Sequence, residues 1–326
     1  MLPLITIGMT CHNAAGTIER AVQSALRQDW PNVEIIVVDD CSEDSSWVIL
    51  KSLAENEPKL KLFRHEENKG YPAALNTLIR NARGAFIAIF DDDDDHAPDR
   101  LSAQYLRIIN HEQATGADLV FCYSNRNIVR PGQSTPDHIA LAIGRHAPEP
   151  FGPPVADYLF EIAANPRYVW GVFGSCTLMA RREAFMAVGP LDEKFRRCAE
   201  WDMAIRAAFM NAHFIAVDRP LITQYKTESA EKSGDAPLRY ALLLRDKHKE
   251  YLAARRLYLA SRAQAHSRFH GDKGRIWTSR GYRLLAMTFS IAAHRPEFNS
   301  FILSAFFIDS IFQALAHTKW IFLIVF

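Results

Sequence analysis

The chain carries little that would staple it or anchor it. Its five cysteines, Cys11, Cys41, Cys122, Cys176 and Cys198, are odd in number, widely scattered and form no CxxC pair. That excludes a disulfide scaffold and a cysteine zinc site, and it predicts a reducing compartment. No glycine-rich loop of the Walker or dinucleotide type precedes a helix, so any phosphate charge must be met by another device. The start, "MLPLITIGMTCHN", has no basic stretch ahead of its apolar residues, and no secretory leader is expected. No internal repeat occurs. The most apolar stretch, "FILSAFFIDSIFQALAHTKWIFLIVF", is interrupted by Asp309, Gln313, His317 and Lys319. It therefore falls short of the roughly 18 unbroken apolar residues that mark a spanning helix.

What is present fits a soluble globular protein. Apolar residues make up 48% of 326 and charged residues 23%, enough for a sizeable core in one large domain or two modest ones. The net charge of +1 conceals an asymmetry. Residues 1–235 hold 24 Lys/Arg against 32 Asp/Glu, whereas residues 236–299 hold 13 against four. An acidic body with a basic extension predicts two regions with different partners.

The first 125 residues alternate strand and helix patterns. "LITIGMT", "VEIIVVDD", "LKLFRHE", "AFIAIF" and "DLVFCYS" read as strands. The segments between them show helical periodicity, the last opened by Pro98. This alternation predicts an α/β fold, a doubly wound parallel sheet flanked by helices. Six prolines between Arg130 and Val155 predict a long irregular connection. Beyond it "DYLFEIAAN", "RREAFMAVG" and "AEWDMAIRAAFMNA" read as helices, and "VFGSCTLMA", "HFIAVD" and "PLITQYK" as strands. After Ser233 the pattern is helical.

Three predicted strands end in polar or acidic residues: Thr10 to Asn13, Asp39–Asp40, and the run Asp91–Asp95. In a parallel sheet all three endings lie on the carboxyl edge, where such sheets bind ligands. Five adjacent carboxylates repel one another, so either water solvates them or a cation joins them. If the strand continues, Asp91 and Asp93 share one side, and Asp92 the other. Such a pair suits Mg²⁺ or Mn²⁺. Asp94 and Asp95 are then expected to support the site or to be solvated. Asp39 and Asp40 can accept hydrogen bonds from a base or ribose, or cap the following helix. Glu200 and Asp202 open a helix, where its dipole alone accounts for acids; the functional reading is a general base.

Together, "ITIGMTCHNAAGTIERAVQSALRQDWPNVEIIVVDDCSEDSS", "NKGYPAALNTLIRNARGAFIAIFDDDDDHAPDRL" and "GVFGSCTLMARREAFMAVGPLDEKFRRCAEWDMAIRAA" resemble the family 2 glycosyltransferases over roughly residues 3–230. The resemblance implies a GT-A fold, residues 1–125 as the nucleotide-sugar half and 126–235 as the acceptor half, with a helical extension over 236–326. It implies inverting transfer from a nucleotide-diphosphate sugar, a UDP-sugar foremost, assisted by Mg²⁺ or Mn²⁺. Thr10 and Asn13 then fall at the nucleotide, Asp40 with Asp39 at the base, and Asp91 and Asp92 at the ribose or metal. Asp93, with Asp91, becomes the metal ligand of a DXD motif. Glu200, with Asp202 beside it, falls at the acidic position that serves as catalytic base. Two departures stand out: Ala199-Glu200 replaces the usual Glu-Asp, and Glu228 stands where a metal-binding His is common.

The expected acceptor is a glycan or a lipid-linked hydroxyl, in keeping with polysaccharide biosynthesis at the cell envelope. The expected location is cytoplasmic, with peripheral membrane contact or a homodimer through 236–326. No recognisable module points to nucleic acid. A non-catalytic sugar-nucleotide-binding subunit and a nucleotidyltransferase are the competing readings, the second lacking its glycine-rich basic loop.

Overall fold

The structure, a computed structural model, describes residues 1–226 and 234–294. Glu228, most of the 225–233 loop and the apolar stretch 300–326 lie outside the described residues. The chain divides into two compact units, the first running from Met1 to Tyr240 and the second beginning at Ala241.

In the first unit β1 (Ile5–Cys11), β2 (Val33–Asp39), β3 (Leu60–Arg64) and β4 (Phe86–Asp91) are parallel, in the order β3-β2-β1-β4. Their crossovers are α1 (Ile18–Leu26), α2 (Ser46–Asn56) and α3 (Tyr71–Asn81). Near-continuous apolar runs make these central strands stable only when covered on both faces. Ile5, Ile7, Ile35, Val37, Phe86 and Phe90 accordingly sit in the core with Ile18, Val22 and Leu50 of the helices. The chain continues through β5 (Asp95–His96), α4 (Arg100–Thr115), β6 (Val120–Val129), β7 (His138–Ala140) and α5 (Pro153–Leu159). It then forms β8 (Met179–Arg181), α6 (Arg182–Val188), α7 (Ala199–Phe209) and β9 (His213–Tyr225). The full order is β3-β2-β1-β4-β8-β6-β9-β5, with β7 on β6.

The sheet is mostly but not wholly parallel. β8 runs antiparallel to both β4 and β6, and β5 antiparallel to β9. "VFGSCTLMA" is a strand only in its last part, since Ser175–Thr177 forms a short 3₁₀ turn at the carboxyl edge. "HFIAVD" and "PLITQYK" are one strand, because Pro220 is taken up opposite Asn125, where the register with β6 shifts. The proline-rich connection is not wholly irregular: its residues 138–140 pair with Ile128, Asn127 and Arg126 of β6.

Arg100, at the start of α4, is fully buried. Its guanidinium donates to the Ile89 carbonyl (2.9 Å), to Gln104 Oε1 (2.9 Å) and to His96 Nδ1 (2.8 Å), and it stacks over the Phe90 ring. It faces Asp91 and Asp94, and burial lowers it only to about 10, so it stays charged. His96 is pushed well below its ordinary value by burial and by Arg100, which keeps it neutral and able to accept.

The second unit contains the end of α8 (Ala236–Lys247), then α9 (Lys249–Ala254), α10 (Tyr258–Asp272) and α11 (Ile276–His294). Ser267 Oγ donates to the Ser279 carbonyl (2.8 Å) and Ser279 Oγ to the Ser267 carbonyl (2.7 Å), fixing α10 to α11.

Arg100→Met leaves the enclosed carboxylates facing a neutral group. It is expected to lower unfolding free energy by about 3–5 kcal/mol, measured by denaturant titration. A loss below about 1 kcal/mol would show that Arg100 is not their main countercharge.

Candidate active site

Register explains which side chains meet at the carboxyl edge. β4 pairs Ala88 with Met179, and β6 pairs Cys122 with Met179. Following those ladders to their ends brings Asp91, Cys176 and Arg126 to one place. The antiparallel entry of β8 is what delivers Cys176 there. Arg126 is the second alternate position beyond Cys122 on the same face of β6. Gly174 makes room for it: a Cβ there would lie 1.9 Å from Arg126 Nη1.

The aspartates do not continue the strand. β4 ends at Asp91 and the next residues turn, so the alternation expected for an extended run does not hold. The turn brings Asp94, as well as Asp93, close to Asp91. Ligand atoms of Asp91, Asp94 and Cys176 all lie within 4.8 Å of one another. Asp94 is fully buried rather than solvated, and neither of its oxygens has a well-formed hydrogen bond. The Cys176 thiol and the Tyr225 backbone N–H are the donors facing it. Asp95 is an exposed partner of Arg27 at 3.2 Å.

Crowding raises these carboxyls. Burial, then the neighbouring Asp93, lifts Asp92 to about 8, against the His12 N–H it accepts at 3.1 Å. Asp91 is raised by burial and by Asp93, with Arg126 and Arg100 opposing, and Asp94 is raised by burial, Asp91 and Asp93. Glu200, at the start of α7, is raised by burial and lowered by Arg197 and Arg126. Its charge also acts on Asp91, Tyr71 and Tyr123, so Glu200 lies within electrostatic reach of the acidic turn.

A divalent cation fits this donor set. Buried carboxylates that repel one another and lack full hydrogen bonding suit Mg²⁺ or Mn²⁺. Burial pushes the Cys176 thiol well up, so it stays protonated and contributes no thiolate.

The other predicted residues divide by what holds them. Asp40 accepts from Lys69 N (3.0 Å), Gly70 N (2.7 Å) and His65 (2.7 Å), which uses three of about four acceptor positions. Gly70 has φ +89°, a conformation that glycine adopts without strain. Asp39 is buried against Arg64 Nε (3.0 Å) and Ser42 N (3.2 Å). Asn13 accepts from Glu43 N (2.8 Å) and so ties the end of β1 to the loop after β2. Thr10, part-buried, pairs in register with Val38 and Asp91. Asp202, expected beside Glu200 in the chemistry, is instead fully buried with Arg206 Nε at 2.9 Å. Arg206 in turn donates to the carbonyl of Pro190, so this acid braces α7. Its place one half-turn from Glu200 points it to the opposite side of the helix.

The sequence model of the family described as Glycosyl transferase family 2 matches residues 6–189. The chain belongs to this family. Among curated relatives of the glycosyltransferase, the succinoglycan biosynthesis protein ExoO of Rhizobium meliloti is 38% identical over 118 residues, 36% of this chain and 32% of that one. Across the first relatives matched, the aligned part spans between 32% and 52% of their length. Among solved structures, residues 1–349 of S. aureus TarS with UDP-GlcNAc superpose with a TM-score of 0.59 at 17% identity, covering 89% of this chain and 81% of that one. The mannosyltransferase PcManGT of Pyrobaculum calidifontis, with GDP-Man and Mn²⁺, gives 0.54 at 19% identity, covering 97% and 88%. The mixed, mostly parallel sheet of this family member is the GT-A fold.

Arg126, Cys176 and Tyr71 were not singled out from the sequence. Arg126 was within reach, since the alternation Cys122, Ser124, Arg126 runs straight toward the edge.

The folded protein keeps protons on Asp91, Asp92 and Asp94 above their unfolded value of 3.8, to about 7 for Asp91 and about 8 for the other two. Below 3.8 both states are protonated; above it the unfolded chain binds fewer protons, so the contribution of these groups to stability falls as pH rises through this window. His96, His111, His213 and His266, held low by burial, contribute in the opposite direction. The metal-free melting temperature of Asp94→Asn should therefore fall less, or rise more, than that of the wild type between about pH 5 and about pH 8. Identical pH profiles would contradict the placement of Asp94.

Proposed function

We propose that the enzyme transfers a sugar, with inversion, from a nucleotide-diphosphate donor to a hydroxyl of a glycan or lipid-linked acceptor. The supporting observation is the cluster of acids at the carboxyl edge, with Arg126 and Glu200 within electrostatic reach of it. A UDP-sugar is the foremost donor. Asp40, with Thr10, lines the base and ribose end, and Asp39 and Asn13 shape the loops around it. Asp92 faces the ribose, held by the His12 N–H.

Asp93 and Asp91 would hold Mg²⁺ or Mn²⁺, with the buried Asp94 as a further carboxylate of the same turn. The cation would supply positive charge to the departing diphosphate. Glu200 accepts the proton of the acceptor hydroxyl, whose oxygen bonds to the anomeric carbon as the bond to the phosphate oxygen breaks on the opposite face. A carboxyl raised by burial is a stronger base than a solvated one, and Arg197 and Arg126 oppose that rise. We place the reaction at the cytoplasmic side of the membrane, with the basic extension as its peripheral contact.

Incubation with UDP-, GDP- and dTDP-sugars plus Mn²⁺, with release of nucleotide diphosphate as the readout, tests the reading. Glu200→Gln should cut turnover about 10²–10⁴-fold and leave donor affinity unchanged. Full activity in that variant would remove Glu200 from the role of base. Donor binding without turnover in the wild type would make the chain a sugar-nucleotide-binding subunit.

A further inference from the structure

Helix α11 is apolar on two faces. Tyr282, Leu285, Ala286 and Phe289 are buried and pack with Ala260 and Ala263 of α10. The opposite face carries Trp277 (77% exposed), Leu284 (67%), Met287 (57%) and Ile291 (58%). At about 100° per residue these fall within one arc of roughly 120°. The charged residues in that arc are Arg280 and Arg283, both exposed, and α11 has no acidic residue anywhere. Arg280 lies over the Trp277 ring at 5.2 Å, so its charge sits beside the apolar surface.

A helix that packs one apolar face and exposes another has a second partner. We propose that this face docks on a bilayer carrying anionic headgroups. Tryptophan, aliphatic side chains and arginine on one arc match the boundary between acyl chains and headgroups, with the arginine stems lying on the apolar surface and their heads at phosphate. The surrounding segment has the complementary charge, with 13 Lys/Arg against four acids over 236–299. A second copy of the chain fits less well, because a symmetric contact would set Arg280 and Arg283 against the same pair. The chain's own end offers only Asp309 and Lys319, which cancel. Among the described residues no helix is long and apolar enough to cross a membrane, so α11 lies along the surface. This docking does not depend on the donor or on the role of Glu200.

The full chain should float with vesicles of phosphatidylcholine and phosphatidylglycerol and not with phosphatidylcholine alone. Raising salt should release it as headgroup charge is screened. Leu284→Glu combined with Met287→Glu, at exposed positions, should lower the bound fraction at least about tenfold, while the melting temperature and nucleotide binding stay unchanged. No flotation of the wild type with anionic vesicles would overturn the proposal. So would equal flotation of the variant, which would assign binding to another segment. Concentration-dependent dimerisation abolished by the variant, without vesicle binding, would give the face to a second copy instead.

Discussion

Negative charge gathered where an apolar strand stops is the constraint that organises this molecule. β4 is buried from Phe86 to Phe90 and part-buried at Asp91, and the next residues are four further aspartates. An extended continuation would line carboxylates along an enclosed edge. The chain turns instead, and a fully buried arginine beneath Phe90 faces the two carboxylates that the turn brings together. One arginine does not neutralise the group. Burial and mutual repulsion leave several aspartates holding protons at pH values where an ordinary carboxyl has lost them. The folded protein is thus built with unspent attraction for a cation, which binding can convert into stability.

The antiparallel β8 is the topological counterpart of that charge. A wholly parallel sheet would carry residues 174–176 to the amino edge or away from the sheet. Entering from the carboxyl edge, the strand places Cys176 against Asp91 and Asp94, and Gly174 against Arg126. Arg126 acts on both the acidic turn and Glu200, opposing the rise of Asp91 and of Glu200. Arg100 adds to it at Asp91, and Arg197 at Glu200.

The central strands were legible because a β-branched run ending in acid has few other solutions. "VEIIVVDD" and "AFIAIF" became β2 and β4 with boundaries close to those expected. β8 was misjudged in length because three residues carry too little periodicity to mark a strand. β9 was divided because Arg219-Pro220 reads as a turn, whereas a register shift opposite Asn125 absorbs the proline. At the site, the acids were legible and their partners were not. Asp91 to Asp94 and Glu200 announce themselves by type and position, but period-two reasoning assumed a strand where mutual repulsion favours a turn. Asp202 shares its helix turn with Glu200, and only the Arg206 contact separates a brace from a base.

The two units differ in charge and surface: the first carries the acidic turn, and the second is a basic helical unit with an exposed apolar arc. The most direct measurement addresses the acidic turn. Titration calorimetry of UDP, GDP and dTDP, with and without Mn²⁺, should give binding of one nucleotide that requires the metal in the wild type and is lost in Asp93→Ala. Failure of all three nucleotides to bind with Mn²⁺ present, or undiminished binding by Asp93→Ala, would contradict a metal-assisted donor site at the acidic turn.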